Sequence, residues 1–387
     1  MYLKYVFIEN VRNHSTNKIF FEPNINIIFG PNGSGKTSIL EAVSIATFSK
    51  SFVTKFDQNI VRKGQNYYSI ELMAISDNKI PIVIDIYYHQ NKGKEIKDTS
   101  DKVIPSFELI GKIPIVILSP DMKNIVFGPP SVRREFVDKI ISQIDNNYLK
   151  KLIEYKRILK QRNKLLTEIA SGDRKNIEIL PFWNNKLIET ATTIIKRRSL
   201  FIDEFSLFFA NSYNFITNGK ETIDFRYAPF GMNTDEFYFK ANTVSDNTIT
   251  TYLYHQLEKF KQKELERGTT LFGPQKDDFI IKLCESTANE VASQGQSKSI
   301  LVALKYAEIL FLKKQKGTNP IVLFDDIFSE LDLFRVQQVL NLMNKTDVQL
   351  LVTMTEINHI KEIIHNFETY GIFKVENGKV EKSTSFS

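Results

Sequence analysis

Gly30-Pro31-Asn32-Gly33-Ser34-Gly35-Lys36-Thr37 sets glycines, a lysine and a hydroxyl at the spacing GxxxxGK[ST], a pattern that binds phosphate. Glycines at 30, 33 and 35 let the backbone curl until successive N–H groups point at one anion, and a helix starting there adds positive potential. Lys36 would lie between the β- and γ-phosphates of a nucleoside triphosphate, the Thr37 hydroxyl would ligate Mg2+, and Ser38, at the head of the helix, would complete the nucleotide-binding run from Gly30. Far along the chain, four apolar residues, Ile321-Val322-Leu323-Phe324, end in Asp325-Asp326. A buried strand of this kind delivers its acids to the phosphate edge of a sheet, as a Walker B element does. Asp325 would hold magnesium through water together with Thr37, and Asp326 would polarise an attacking water as general base. The two motifs imply ATP as ligand and Mg2+ as metal.

Such chemistry needs a strand feeding the loop and a helix leaving it. Ile25 to Phe29 reads as a buried strand, and Ser38 to Val43 carries helical spacing. Up to about residue 120, strands alternate with turns: Tyr2 to Glu9, Lys18 to Phe21, Ile25 to Phe29, Tyr68 to Ile75, Ile80 to Tyr88 and Ile113 to Leu118. Asp77-Asn78 and Asn91-Lys92-Gly93 mark hairpin turns. The period then changes. After Gly128-Pro129-Pro130, Ser131 is placed to cap a helix in which Phe136, Val137, Ile140, Ile141 and Ile144 recur at three- and four-residue intervals. Leu149 to Ile169 continues the pattern to a stop at Ser171-Gly172-Asp173, and a second helical run spans Phe182 to Phe215, with the lone Trp183 read as packing. Residues 211–246 are polar and give strand and loop before a helix from Ile249 to Arg267. From Gly273 strands and helices alternate again: strand Phe279 to Cys284, helix Gln296 to Lys314, strand Ile321 to Phe324, helix 333–344 and strand Gln349 to Met354. The expected fold class is α/β, a P-loop ATPase head of mixed sheet plus helices in two halves, 1–120 and 269–387, with an inserted compact α-helical lobe over 121–268. With no repeats or sustained heptads, the lobe is not a long rod.

A chain of 387 residues can bury a substantial core in two or three domain-sized units. One cysteine, Cys284, leaves no internal disulfide to form and suits a reducing compartment. The N-terminal segment reads as a strand rather than a signal peptide, and no long apolar run occurs, so a soluble cytoplasmic protein with no membrane partner is expected. The 51 basic and 45 acidic residues leave +6, an excess that one segment could carry by itself. Between 150 and 164 stand Lys150, Lys151, Lys156, Arg157, Lys160, Arg162 and Lys164 against the single acid Glu154. This is either a solvated helix face or a strip for a phosphate backbone, and it is the candidate DNA-contacting patch.

Ser293-Gln294-Gly295-Gln296 precedes a long amphipathic helix, placing a hydroxyl and a glycine N–H at its N-terminus, where an ordinary N-cap would look the same. The run resembles the Ser-x-Gly-Gln signature of ABC-type ATPases, which in that superfamily contacts the γ-phosphate held by the opposite subunit. Ser329-Glu330-Leu331-Asp332, after the paired aspartates, resembles the D-loop of the same superfamily. The interval from Thr37 to Ser293 is too short for the long coiled coils of SMC proteins and longer than a compact transporter domain needs. Nearly the whole chain resembles the RecF family of bacterial recombination mediators: Ile8-Glu9-Asn10-Val11-Arg12-Asn13, Leu118-Ser119-Pro120-Asp121, Gly128 to Asp138, Leu271 to Asp278, Ala292 to Gln296, and Asp325 to Asp332.

That resemblance implies an SMC-like head in which ATP is sandwiched between two subunits, the homodimer binds DNA at gaps or single-strand/duplex junctions, and slow hydrolysis releases it. It implies RecO and RecR as partners in loading RecA. Carried over by motif, Lys36, Thr37, Asp325 and Asp326 would bind and hydrolyse ATP, Ser293, Gly295 and Gln296 would reach the partner's nucleotide, and Arg12 and Asn13 would contact nucleotide near the strand end. The chain departs from the family at Gln275-Lys276, where His-Arg is usual, and at Ser297-Lys298-Ser299, where Gln-Arg-Thr is usual. No Q-loop glutamine is evident, and Thr355 stands where many ABC ATPases place a switch histidine, so slow hydrolysis is expected. The competing readings are the ATPase subunit of an ABC transporter and an SMC-like head associated with a nuclease.

Overall fold

Tyr2–Val11 (β1) buries Leu3, Val6 and Ile8 and turns Tyr5, Phe7 and Glu9 outward. A register shift between Leu3 and Tyr5 resets the alternation, so that Leu3 and Val6, three apart, share a face. The protein is described from a computed structural model covering residues 1–173, 175–231, 245–329, 333–357, 364 and 367–383. The strand after β1, His14–Phe20 (β2), starts four residues before the expected Lys18, and Ile25–Phe29 (β3) leads to the glycine-rich loop and the helix Lys36–Phe48 (α1). Then come Tyr67–Ile75 (β4), Pro81–His89 (β5), Gly93–Lys97 (β6), the short helix Ser106–Leu109 (α2) and Ile115–Leu118 (β7). Strand β6 is not among the expected elements, because Gly-Lys-Glu-Ile-Lys has a single buried apolar residue, Ile96.

The following stretch is mainly helical: Asn124–Phe127 (α3), Pro130–Ile144 (α4), Asn146–Ala170 (α5) and Leu180–Thr217 (α6). Strand Ile223–Ala228 (β8), helix Asp246–Arg267 (α7), strands Asp278–Leu283 (β9) and Ser286–Thr287 (β10), and helices Ala288–Val291 (α8) and Gln294–Lys316 (α9) complete it. Ser131 is not a cap: Pro129 occupies the N-cap position of α4 and Pro130 its first turn, where a missing N–H costs nothing. What divides the expected continuous pattern is Asp145, whose carboxylate accepts the Tyr148 N–H at 3.1 Å and starts α5. The chain ends with Ile321–Asp325 (β11), Leu333–Thr346 (α10), Leu350–Met354 (β12), Tyr370–Glu376 (β13) and Lys379–Ser383 (β14).

These elements form two compact units, Met1–Met122 with Glu308–Ser387, and Lys123–Ala307. The first holds an antiparallel sheet in the order β2-β1-β4-β5-β6 and a six-stranded sheet in the order β14-β13-β3-β12-β11-β7. In the second sheet β13, β3, β12, β11 and β7 run parallel, so β12 separates the loop-bearing strand β3 from the acid-bearing strand β11. Ten of the thirteen α1 residues are buried, including Ile39, Leu40, Val43 and Ile45, and these pack in one core with Ile8 and Leu72 of one sheet and Leu323 and Leu351 of the other. A helix covered on both sides must satisfy its polar groups internally, and α1 does: Lys36 bonds loop carbonyls, Glu41 takes Arg12, and Ser44 and Thr47 donate to backbone carbonyls.

The second unit is tied by arginines. Arg133 makes paired 2.8 Å bonds to Asp278, and Arg134 donates to the Asp277 carbonyl at 2.6 Å. Arg198 binds both Asp138 oxygens at 3.0 Å and the Pro274 carbonyl at 2.7 Å, so the Gly128-to-Asp138 and Leu271-to-Asp278 runs meet in one buried network. Arg162 requires a correction. It was grouped with the DNA-contacting basic residues, but its side chain is 1% exposed, paired with Glu264 at 2.6 Å and bonded to Thr270 and Asn184. Helical periodicity puts it one turn from Ile158, on the apolar side of α5, away from Lys160 and Lys164.

Removing one partner of a buried ion pair strands the other. Arg162→Ala is therefore expected to cost about 3–5 kcal/mol, read by urea unfolding of the whole chain, whereas Lys160→Ala is expected to stay within about 0.5 kcal/mol of wild type.

Candidate nucleotide-binding site

Strand β3 feeds a loop that only glycine permits at two points. Gly30 and Gly35 have φ of 152° and 112°; a Cβ on Gly30 would lie 2.2 Å from the Val375 carbonyl oxygen, and one on Gly35 would lie 2.5 Å from His14 Nε2. Gly33 has open space around its Cβ direction. Helix α1 starts with Gly35 at its N-cap and no side-chain cap, which leaves its first amides for an anion. Ser34 Oγ is buried without a protein hydrogen-bond partner, as expected of a hydroxyl placed to donate to a ligand oxygen; Asn13 Oδ1 is also unpartnered but, as an acceptor, does not suit phosphate oxygens. Lys36 Nζ donates to the carbonyls of Gly30 at 2.8 Å and Pro31 at 2.9 Å. Burial pushes the Lys36 ammonium below its ordinary pKa, against the pull of Asp326 and Asp325.

The acids meet the loop through strand β12. Thr37 Oγ1 donates to Asp325 Oδ1 at 2.8 Å, and Thr353 Oγ1, on β12, donates to the same oxygen at 2.8 Å. The Thr353 hydroxyl in turn accepts the Asp326 N–H at 2.9 Å, with Asp326 in the left-handed region at φ 50°. Burial raises the Asp325 pKa, and the two threonine bonds oppose the rise. Thr37 and Asp325 thus present two hard oxygens side by side. Mg2+ takes one or two protein oxygens and completes its shell with water and phosphate, so this donor set fits it. Among the described residues no cluster of three or more His, Cys, Asp or Glu could hold a metal without a ligand's help.

Behind the loop, Arg12 binds Glu41 of α1 through Nε and NH2 at 2.9 Å each and the Asn59 carbonyl through NH1 at 2.7 Å. Asn13 Nδ2 donates to the Ser34 carbonyl at 2.8 Å and the Gly33 carbonyl at 3.2 Å. Thr353, Glu41 and His14 belong to the site's framework and were missed in the sequence. Glu41, one acid in an apolar helix, was a visible signal; Thr353 and His14 carried none.

Ser293, Gly295 and Gln296 lie in the other unit. Ser293 Oγ accepts the Gln296 N–H at 3.2 Å, and Gln296 Oε1 accepts the Ser293 N–H at 2.8 Å, a reciprocal capping box for α9. Gln296 Nε2 also reaches Glu221 at 2.6 Å. Glu330, Leu331 and Asp332 lie outside the described residues. On α5, Lys150, Lys156, Arg157, Lys160 and Lys164 are exposed, while Lys151 is paired with Glu154.

Residues 2–381 match the RecF/RecN/SMC N terminal domain family. The chain is 33% identical over 380 residues, 98% of its length and 99% of the relative's, to a protein of Ruminiclostridium cellulolyticum described as DNA replication and repair protein RecF. It is 37% identical over 361 residues, 92% of its length and 94% of the relative's, to one of Prosthecochloris aestuarii with the same description. The chain belongs to the RecF family. A solved structure of the recombination mediator protein RecF with ATP, in the RecFOR pathway, superposes with a TM-score of 0.88 at 28% identity, covering 99% of this chain and 98% of that one. An Smc head bound to the C-terminal winged-helix domain of ScpA shares the fold, with a TM-score of 0.56 at 14% identity over 99% of this chain and 97% of that one. This RecF-family chain therefore has the ABC/SMC-type ATPase head fold, and among its described residues no helix is long and apolar enough to cross a membrane.

Burial holds the His14 pKa below its ordinary value, against the Gly35 and Gly378 carbonyls, which raise it. The folded state thus binds fewer protons than the unfolded chain as pH falls below about 6.5. Stability from this group is complete above that pH and declines below it. Melting temperature is expected to fall between about pH 7 and pH 5, and His14→Gln is expected to flatten that fall; parallel slopes in both proteins would exclude the contribution.

Proposed function

We propose that this RecF-family chain is an ATP-controlled, DNA-binding recombination mediator that acts in the cytoplasm. In this reading ATP bridges two copies, the closed homodimer holds DNA at gaps or stalled forks, RecO and RecR join it in loading RecA, and slow hydrolysis resets the clamp. The observation that carries the nucleotide part is the Thr37–Asp325–Thr353 hydroxyl–carboxylate chain, which couples the phosphate loop to the paired aspartates. The neighbouring structure with ATP supports the choice of nucleotide.

Mg2+, when bound, would draw charge off the β- and γ-phosphates. Lys36 would exchange its loop carbonyls for phosphate oxygens, and the N-terminal amides of α1 would hold the β-phosphate. Thr37 and Asp325 would hold the metal. Asp326 would take a proton from water as that water attacks the γ-phosphorus and the bond to the β–γ bridging oxygen breaks, giving ADP and phosphate. Ser293, Gly295 and Gln296 would contact the nucleotide of the opposite copy, and Arg12 and Asn13 would support the loop. Lys156, Arg157 and Lys160 on α5 would meet the DNA backbone. These contacts read charge and not sequence.

Sedimentation with a gapped DNA tests the reading. With MgATP the particle is expected to double in mass and retain DNA; with ADP, or with Lys36→Met, it is expected to remain single and lose DNA. A monomer that binds DNA equally in every condition would reject it. Asp326→Asn is expected to keep the ATP-bound dimer and lower turnover by about 10²–10⁴-fold.

Thr353→Val removes a donor to Asp325 and the acceptor of the Asp326 N–H. Turnover at fixed Mg2+ is expected to fall about 10–100-fold, with a higher Mg2+ requirement; an unchanged Mg2+ titration would deny Thr353 this role.

A further inference from the structure

The phosphate loop is gripped from behind by the last hairpin of the chain. Strand β13 lies parallel to β3, pairing Phe373 with Ile28 and Lys374 with Phe29, and it turns into β14 at Asn377-Gly378. Both turn residues have positive φ, 49° and 76°, as a two-residue type I′ hairpin needs. The Gly378 N–H donates to the Ser34 carbonyl at 3.0 Å, the carbonyl that Asn13 also binds. The Gly378 carbonyl lies 2.9 Å from His14 Nδ1 and accepts Asn17 Nδ2 at 2.9 Å. His14, which is fully buried, reaches the Gly35 carbonyl with Nε2 at 2.9 Å.

Three successive loop carbonyls, Gly33, Ser34 and Gly35, are therefore fixed by Asn13, Gly378 and His14. In a trans peptide the C=O and the following N–H point in opposite directions. Holding the Ser34 and Gly35 carbonyls against the hairpin and His14 turns the Gly35 and Lys36 N–H groups the other way, toward the side where phosphate would sit. A neutral His14 can donate to only one of the two carbonyls it faces: as the Nε2–H tautomer it donates to Gly35, and the donor to the Gly378 carbonyl is then Asn17 Nδ2.

We infer that His14 and the Asn377-Gly378 turn are positioning residues for the triphosphate: they aim the loop amides without touching the ligand. This inference rests on the nucleotide reading above. The fit is close, because a Cβ on Gly378 would stand 2.3 Å from the Asn13 carbonyl oxygen.

The test compares wild type, His14→Ala, His14→Gln and Gly378→Ala in the full chain, using a fluorescent MgATP analogue displaced by MgATP or by inorganic triphosphate. His14→Ala and Gly378→Ala are each expected to weaken both competitors by roughly tenfold or more. His14→Gln, whose amide N–H can donate to Gly35, is expected to recover most of that loss. Variants that melt earlier but bind both competitors like wild type would overturn the inference and leave a structural role only. Hydrogen exchange on the wild type serves where a variant does not fold: saturating MgATP is expected to slow exchange at Gly378, and unchanged exchange there overturns the proposal. Wild type that fails to bind MgATP at all overturns the nucleotide reading and this inference together, whereas wild-type binding with indifferent variants overturns this inference alone.

Discussion

One carboxylate oxygen, Asp325 Oδ1, takes two hydroxyl donors, Thr37 from the start of α1 and Thr353 from the end of β12. The ends of β11 and β12 and the helix after β3 are joined at that atom, and Thr353 passes the constraint on to the Asp326 backbone. Burial makes the charge of Asp325 costly, and the two hydroxyls offset part of that cost. A carboxylate held this way is pre-organised to share a cation with Thr37, and a free surface aspartate would not be.

The same logic extends behind the loop. Peptide groups that must present N–H to a ligand need their carbonyls satisfied on the other side, since an orphaned buried carbonyl is as costly as a lost bond. Asn13, His14 and Gly378 supply those partners, and the Arg12–Glu41 pair fastens the end of β1 to the helix that the loop feeds. In the other unit arginines serve the same end for packing: Arg133, Arg162 and Arg198 each bind a carboxylate and further acceptors, so the charges that close the helical core are compensated.

Much of this was legible in advance, for reasons that differ by element. Strands β3, β4, β11 and β12 were readable because buried or half-buried strands carry apolar runs or alternation, and α5 and α6 because their apolar residues recur at helical intervals. Strand β6, with one buried side chain, lacked such a signal; the hairpin β13–β14 carried one that was missed, Ile372, Phe373 and Val375 ahead of Asn377-Gly378, while the pairing of β13 with β3, more than three hundred residues away, left none. Arg162 was misassigned because charge was counted along a segment, while exposure depends on which side of the helix a residue occupies. At Ser293 the structure shows the N-cap reading of the motif: Ser293 and Gln296 form the capping box of α9.

By itself the sequence determined the chemistry on offer: a glycine-rich loop with Lys36 and Thr37, and a buried strand ending in two acids, because those patterns are local and their spacing carries their geometry. Only the tertiary structure decided which residues hold that chemistry in place. Strand order put Thr353 between the loop and the acids, and parallel pairing brought Gly378 against Ser34. Contacts between residues hundreds of positions apart arise from how strands are stacked, and stacking order leaves no mark in any short stretch of chain.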